Sequence, residues 1–136
     1  MPLNRRKERE IVFQMLFAAQ FSPEEESLAL YETLVEEQEE GAKESEYVKR
    51  VFCGARDYAS VSLEKIGESA SGWKLERLSK ATLAILQLAV YEMDKVEDVP
   101  TKIAINEAVE LAKKFGEDGA KKFINGILGT LAGKTT

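Results

Sequence analysis

The chain has 136 residues, of which 44% are hydrophobic and 32% charged, with a formal net charge of −5; this suits one buried core better than two independent ones. Histidine is absent and Cys53 is the only cysteine, which excludes intramolecular disulfides, thiolate-rich zinc sites and any histidine-based acid, base or metal-ligand chemistry. No apolar run reaches the roughly 18 residues a membrane span needs, and no charged-then-apolar leader is read at the start, so the expectation is a cytoplasmic protein without a membrane partner.

The three prolines, Pro2, Pro23 and Pro100, fall where a helix would begin or a loop would end, and no stretch alternates apolar and polar residues long enough to demand a strand. The chain reads as all-α. A first helix is expected from about Leu3 to Gln20. Ser22-Pro23-Glu24-Glu25 then has the form of a capping box, with serine at the cap, proline at the first helical position and glutamate three residues after the cap. The second helix would run from there to Gly41, a left-handed stop. Val48, Val51, Phe52, Ala55, Ala59, Leu63 and Ile66 recur at steps of three and four, which predicts a third helix from about Lys43 to Gly67. Cys53 lies beside that stripe as an inert packing residue.

Ser69 to Gly72 reads as a break before Trp73. From about Leu78 to Lys95, the residues Leu83, Ile85, Leu86, Leu88, Ala89, Val90 and Met93 leave little polar face, marking the central buried helix. Pro100 and Thr101 open the next helix, to about Phe115. Gly116 and Asp118 supply a stop and a cap before a last helix over about Gly119 to Leu131, where Gly126 would let two helix backbones approach. There is no internal repeat and no low-complexity linker, so residues 1–136 are read as one domain.

Charge is distributed unevenly. From Glu24 to Glu46 there are ten glutamates against one lysine, a local charge of −9, which leaves +4 on the remainder. The acidic run reads as a solvated helical face that also keeps nucleic acid off one side. In the first helix, at about 100° per residue, Ile11, Val12, Met15, Ala18 and Ala19 gather toward a core, while Phe13 and Phe17 fall beside Arg9 and Arg6 on another face. Two readings of that face stand together. The rings pack under another helix while the arginines solvate a helix end, or the face holds single-stranded RNA, with arginines neutralising phosphates and rings stacking on unpaired bases.

The ordered blocks Arg5-Arg6-Lys7-Glu8-Arg9, Trp73-Lys74-Leu75-Glu76-Arg77-Leu78, Tyr91-Glu92-Met93, Lys102-Ile103-Ala104-Ile105-Asn106-Glu107-Ala108 and Lys122-Phe123-Ile124-Asn125-Gly126 resemble the NusB family. These are small bacterial RNA-binding proteins of transcription antitermination and ribosomal RNA synthesis. The resemblance covers nearly the whole chain and is weakest between Ser22 and Glu46. It implies a single all-helical domain of about six to seven helices in two packed bundles. It also implies an RNA surface formed by Arg5, Arg6, Lys7, Arg9 and Phe17, which stands where a tyrosine is common, completed by Lys121, Phe123 and Asn125. Gly119 departs from the acidic or polar residue often found at its position.

The resemblance further implies a protein partner, the small-subunit ribosomal protein NusE, meeting Glu76, Arg77, Thr82, Gln87, Tyr91 and Glu92 within the transcription elongation complex. Thr82 and Gln87 stand where an acidic residue and an arginine are usual, so two charges that would pair across the interface are missing. Asn106-Glu107 reads as a structural polar pair that bonds a neighbouring loop or helix end. The expected function is therefore recognition, with NusE, of boxA-like single-stranded RNA in nascent ribosomal RNA transcripts, without catalytic residues, cofactor or metal. The alternative is a helical protein-interaction module without RNA binding. An enzyme related to RNA methyltransferases is disfavoured, because no strand leads into a Gly-rich loop that would hold a nucleotide-bearing cofactor. Monomer and homodimer both remain open.

Overall fold

Capping chemistry sets where several of the helices begin. The computed structural model describes residues 3–70 and 78–134, and among these it contains seven helices and no strand. The Asn4 side chain accepts the Lys7 amide at 2.8 Å and opens α1 (Arg5–Ala19). Ser45 accepts from the Val48 amide at 3.1 Å to open α3 (Glu46–Asp57). Ser79 accepts from the Thr82 amide at 3.0 Å to open α5 (Lys80–Lys95). In each case an oxygen satisfies an amide that the first helical turn leaves without a partner. Pro100 leads into α6 (Thr101–Phe115), and α7 (Ala120–Lys134) follows the stop at Gly116.

The early boundaries differ from the sequence reading. Ser22 does not cap a helix. The Arg56 guanidinium donates to the carbonyls of Ser22, Pro23 and Glu25 and to the Ser27 hydroxyl, so this segment wraps a cation as a turn and α2 (Ser27–Val35) starts five residues later. That helix ends well before Gly41, which takes φ +100 in the following turns, a left-handed conformation that glycine adopts without steric cost. The long third helix is two helices. Tyr58, at φ −87 and ψ 0, separates α3 from α4 (Ala59–Ser69).

Helix α5 is the shared centre, packing against α1 and α3 on one side and against α4, α6 and α7 on the other. Ala84, Ile85, Leu86, Leu88, Ala89 and Val90 are all buried. The first bundle is completed by α2 on α3 and α1, the second by α7 on α6 and α4. One continuous apolar core joins them, and Ile11, Val12, Met15 and Leu16 of α1, Val48, Val51 and Phe52 of α3 and Ile124, Ile127 and Leu128 of α7 all belong to the same cluster. Phe13 belongs to this core as well, its ring 4.8 Å from that of Phe115.

Close approach of backbone occurs at Gly54 and not at Gly126. A Cβ on Gly54 would overlap the ring and hydroxyl of Tyr91, whereas one on Gly126 would meet nothing within 4 Å. Cys53 is free and half-buried, and burial pushes its thiol above the ordinary range. No helix is long and apolar enough to cross a membrane among the described residues.

Candidate nucleic-acid interface

Segments distant in sequence meet along one open groove. Arg6 from the start of α1, Asn106, Glu107, Glu110 and Lys113 from α6, and Lys121, Lys122 and Asn125 from α7 line it, with Ile103 at its edge. Its volume is about 780 Å³. The packing of α6 against α7 brings the two helices' polar faces together, and the first turn of α1 closes one side. Four cations face two carboxylates here. Lys121, Lys122 and Asn125 are exposed, and Lys113 holds Glu110 at 3.1 Å. An exposed amide among ammonium groups and a guanidinium offers donors suited to phosphate and to base edges.

The basic start of the chain divides into different environments. Arg5 is exposed, bonded to Glu8 at 3.1 Å, and its guanidinium stacks 4.1 Å from the centroid of Tyr47. Lys7 lies 3.0 Å from Glu39 of the acidic segment and 3.5 Å from Glu10. Arg6 is gripped by both oxygens of Glu107, Nε to Oε1 at 3.0 Å and Nη2 to Oε2 at 2.7 Å, while its side chain stays 64% exposed. These hydrogen bonds hold the Glu107 carboxyl below its usual range, against the opposing effect of partial burial. The Asn106-Glu107 pair thus divides: Glu107 ties α6 to α1, and Asn106 faces the groove.

Arg9 lies inside the fold and not on an RNA surface. Its side chain is only 8% exposed, and Nε lies 3.0 Å from each carboxylate oxygen of Glu92, which is itself 2% exposed. The Tyr47 hydroxyl donates to Glu92 at 2.9 Å, and burial, with the neighbouring carboxylate, drives that phenol far above its ordinary range. Arg9 also reaches Glu107 at 3.5 Å. Arg9 and Glu92, expected at an RNA surface and a protein surface, therefore form an interior ion pair joining α1 to α5. Both are committed inside the fold.

Other expected contacts are also redistributed. Phe17 is half-buried in a line of rings, 6.5 Å from Phe13 and 5.7 Å from the exposed Phe21. It stands about 16 Å along the helix from Arg6 by the rise per residue, and it does not line the groove. Phe123 is half-buried against the core. Thr82 is buried, donating to Glu117 at 3.1 Å. Tyr91 is half-buried, against Gly54 and edge-on to Tyr58 at 6.1 Å. Gln87 opens into a different cavity, with Leu16, Gln20, Arg56 and Asp57. Glu76 and Arg77, with the Trp73 to Leu75 segment before them and the end of the break that precedes it, lie outside the described residues, as does Pro2. Lys113 was not expected at the site, and Lys122 was read only as part of the Lys122-Phe123-Ile124-Asn125-Gly126 block; their place in adjacent Lys-Lys pairs carried a charge signal but no indication that α6 and α7 would bring them together.

The fold and groove define a small all-helical protein, two bundles around a common central helix, with one cationic face built from α1, α6 and α7. The chain belongs to the NusB family, whose model matches residues 6–133. It is 42% identical over 139 residues to the transcription antitermination protein NusB of Limosilactobacillus fermentum, covering 100% of this chain and 98% of that protein. It is 41% identical over 143 residues to the transcription antitermination protein NusB of Clostridium botulinum, covering 95% and 99%. The solved structure of NusB from T. maritima matches with a TM-score of 0.84 at 33% identity, covering 98% of this chain and 94% of that one.

Proposed function

We propose that this protein is an RNA-binding transcription antitermination factor that, together with NusE, binds boxA-like single-stranded RNA in nascent ribosomal RNA transcripts. The observation that carries this reading is the groove in which Arg6, Lys121, Lys122 and Asn125 converge from three helices, because clustered cations beside a hydrogen-bonding amide suit a phosphate chain whose bases are unpaired. Arg5 and Lys7 lie outside the groove, bonded to Glu8 and to Glu10 and Glu39, and would join the RNA surface only by exchanging those carboxylates for phosphate; Phe17 supplies a ring farther along α1. Family membership and near-complete coverage of relatives named as antitermination proteins support the same reading. The mechanism is assembly on RNA in the cytoplasm within the elongation complex, with no covalent step.

For NusE, the accessible part of the expected contact set on the described chain is Gln87 and the edge of Tyr91, since Thr82 and Glu92 are buried. The test is fluorescence anisotropy of a labelled boxA-like RNA and a scrambled control, titrated with this protein, with NusE and with both, at two salt concentrations. Preference for boxA that tightens on addition of NusE is the expected result. Absence of RNA binding, with NusE still bound, would replace this reading with that of a helical interaction module.

A further inference from the structure

Arg6 enters the groove already occupied. Both oxygens of Glu107 fill the Nε and Nη2 directions of its guanidinium, the paired geometry that a phosphate would also use. The two partners are not equally held. The Arg6 side chain is 64% exposed and Glu107 only 13%. Glu107 has a second cation behind it, since Oε1 lies 3.5 Å from Nη1 of Arg9, and Arg9 is fixed in the interior by Glu92, which Tyr47 also bonds. The carboxylate is anchored and the guanidinium is the member able to swing outward.

We propose that Glu107 is a built-in competitor for nucleic-acid phosphate at Arg6. A phosphate gains Arg6 by displacing this carboxylate, and Glu107 then stays in place on Arg9. Release of Arg6 leaves Arg9 between two carboxylates, so the floor of the groove becomes net negative and opposes the incoming phosphate. A ligand that meets Arg6 alone gains little. One that also reaches Lys121, Lys122 and Asn125 offsets the displacement through those contacts, so the competitor sharpens discrimination by weakening the wrong ligand more. This inference rests on the RNA-binding reading above and adds a regulatory residue to the same site.

The test compares the full-length wild type with Glu107→Gln, Arg6→Ala and the double variant, by anisotropy with the labelled boxA-like RNA and the scrambled RNA of equal length. Glu107→Gln removes one charge and leaves the Arg9–Glu92 pair neutral. The expected result is about two- to fivefold tighter binding, larger for the scrambled RNA, with a smaller gain in the Arg6→Ala background, where only the repulsion from the groove floor is relieved. An equal gain with and without Arg6 would overturn the proposal, because Glu107 would then act only as a general negative charge. Unchanged or weaker binding by Glu107→Gln would also overturn it, while wild-type RNA binding left the functional reading standing. If neither the wild type nor folded Glu107→Gln binds RNA, the functional reading fails and the competitor with it. Should Glu107→Gln not fold, Glu107→Asp withdraws the carboxylate by one methylene and keeps its charge; a smaller, Arg6-dependent gain is expected there, and no gain overturns the proposal.

Discussion

Arg6 and Arg9 are three residues apart and have opposite surroundings. Arg9→Ala would leave the Glu92 carboxylate buried without its cation, a change that costs about 3–5 kcal/mol and should lower the urea midpoint of unfolding. Arg9→Met combined with Glu92→Gln removes both charges while keeping an acceptor for Tyr47, and should recover much of that loss. An Arg9→Ala protein as stable as the wild type would contradict the interior ion pair. Arg6→Ala should leave the helical circular-dichroism signal unchanged and reduce the salt dependence of RNA binding by about one phosphate contact. Glu107 adds a pH signature. Its carboxyl is depressed in the folded state, chiefly by the hydrogen bonds from Arg6, so its contribution is present above the unfolded value near 4.5 and is lost as pH falls through the lower folded value. In an acid titration of stability, Glu107→Gln should flatten the curve below about pH 4.5 and alter its slope little above it.

At the scale of elements, the boundary between α3 and α4 shows what periodicity leaves out. Val48, Val51, Phe52 and Ala55 continue in spacing through Ala59, Leu63 and Ile66, so the apolar stripe runs across the break without a phase change. Tyr58 marks the break through tertiary contacts: its hydroxyl donates to Asp94 at 2.7 Å, Lys65 meets the same oxygen at 2.6 Å, and its ring lies edge-on to Tyr91. On the preceding turn, Gly54 makes room for Tyr91. Gly54→Ala should cost about 1–3 kcal/mol through overpacking, seen as a lower melting temperature, and Tyr91→Leu in the same background should return part of it. If Gly54→Ala melts like the wild type, the helices can separate without loss and the close approach is unimportant. Ser45→Ala removes the α3 cap and the bond from Ser45 to Glu8, and a loss of about 1 kcal/mol is expected in the same assay.

Across the whole molecule, a protein of net charge −5 gathers lysines and an arginine in one groove and glutamates in one segment, the two charge types meeting where Lys7 pairs with Glu39. The groove gathers Arg6, Lys113, Lys121 and Lys122, while the segment from Glu24 to Glu46 carries ten glutamates, most of them exposed. Such separation orients an approaching polyanion and excludes it from one side. Replacing Glu24, Glu32, Glu37 and Glu40 with glutamine should raise the association rate for boxA-like and scrambled RNA alike by less than about tenfold, with the gain shrinking as salt screens it. A gain confined to the boxA-like RNA would mean that the acidic face contacts the ligand instead of repelling it.

The helical class, the buried central helix and the resemblance to the NusB family all reside in local patterns, and these survive translation into three dimensions because a 3.6-residue period acts within a few residues; the caps at Ser45 and Ser79 emerged only with the structure. Helical arithmetic correctly put Arg6, Arg9 and Phe13 around one sector of α1, yet it says nothing about what covers that sector. Burial was decided by α5 and α6, whose Glu92 and Phe115 draw Arg9 and Phe13 inward and whose flank leaves Arg6 outside. The turn at Ser22 has the same origin, since its carbonyls fold around Arg56, more than thirty residues away. Sequence alone determined that helices form and where the main apolar stripes run, though not that Phe13 would join the core. Tertiary structure decided which charges remain at the surface, because a charge stays outside or becomes an interior pair according to whether a distant segment brings it an opposite partner.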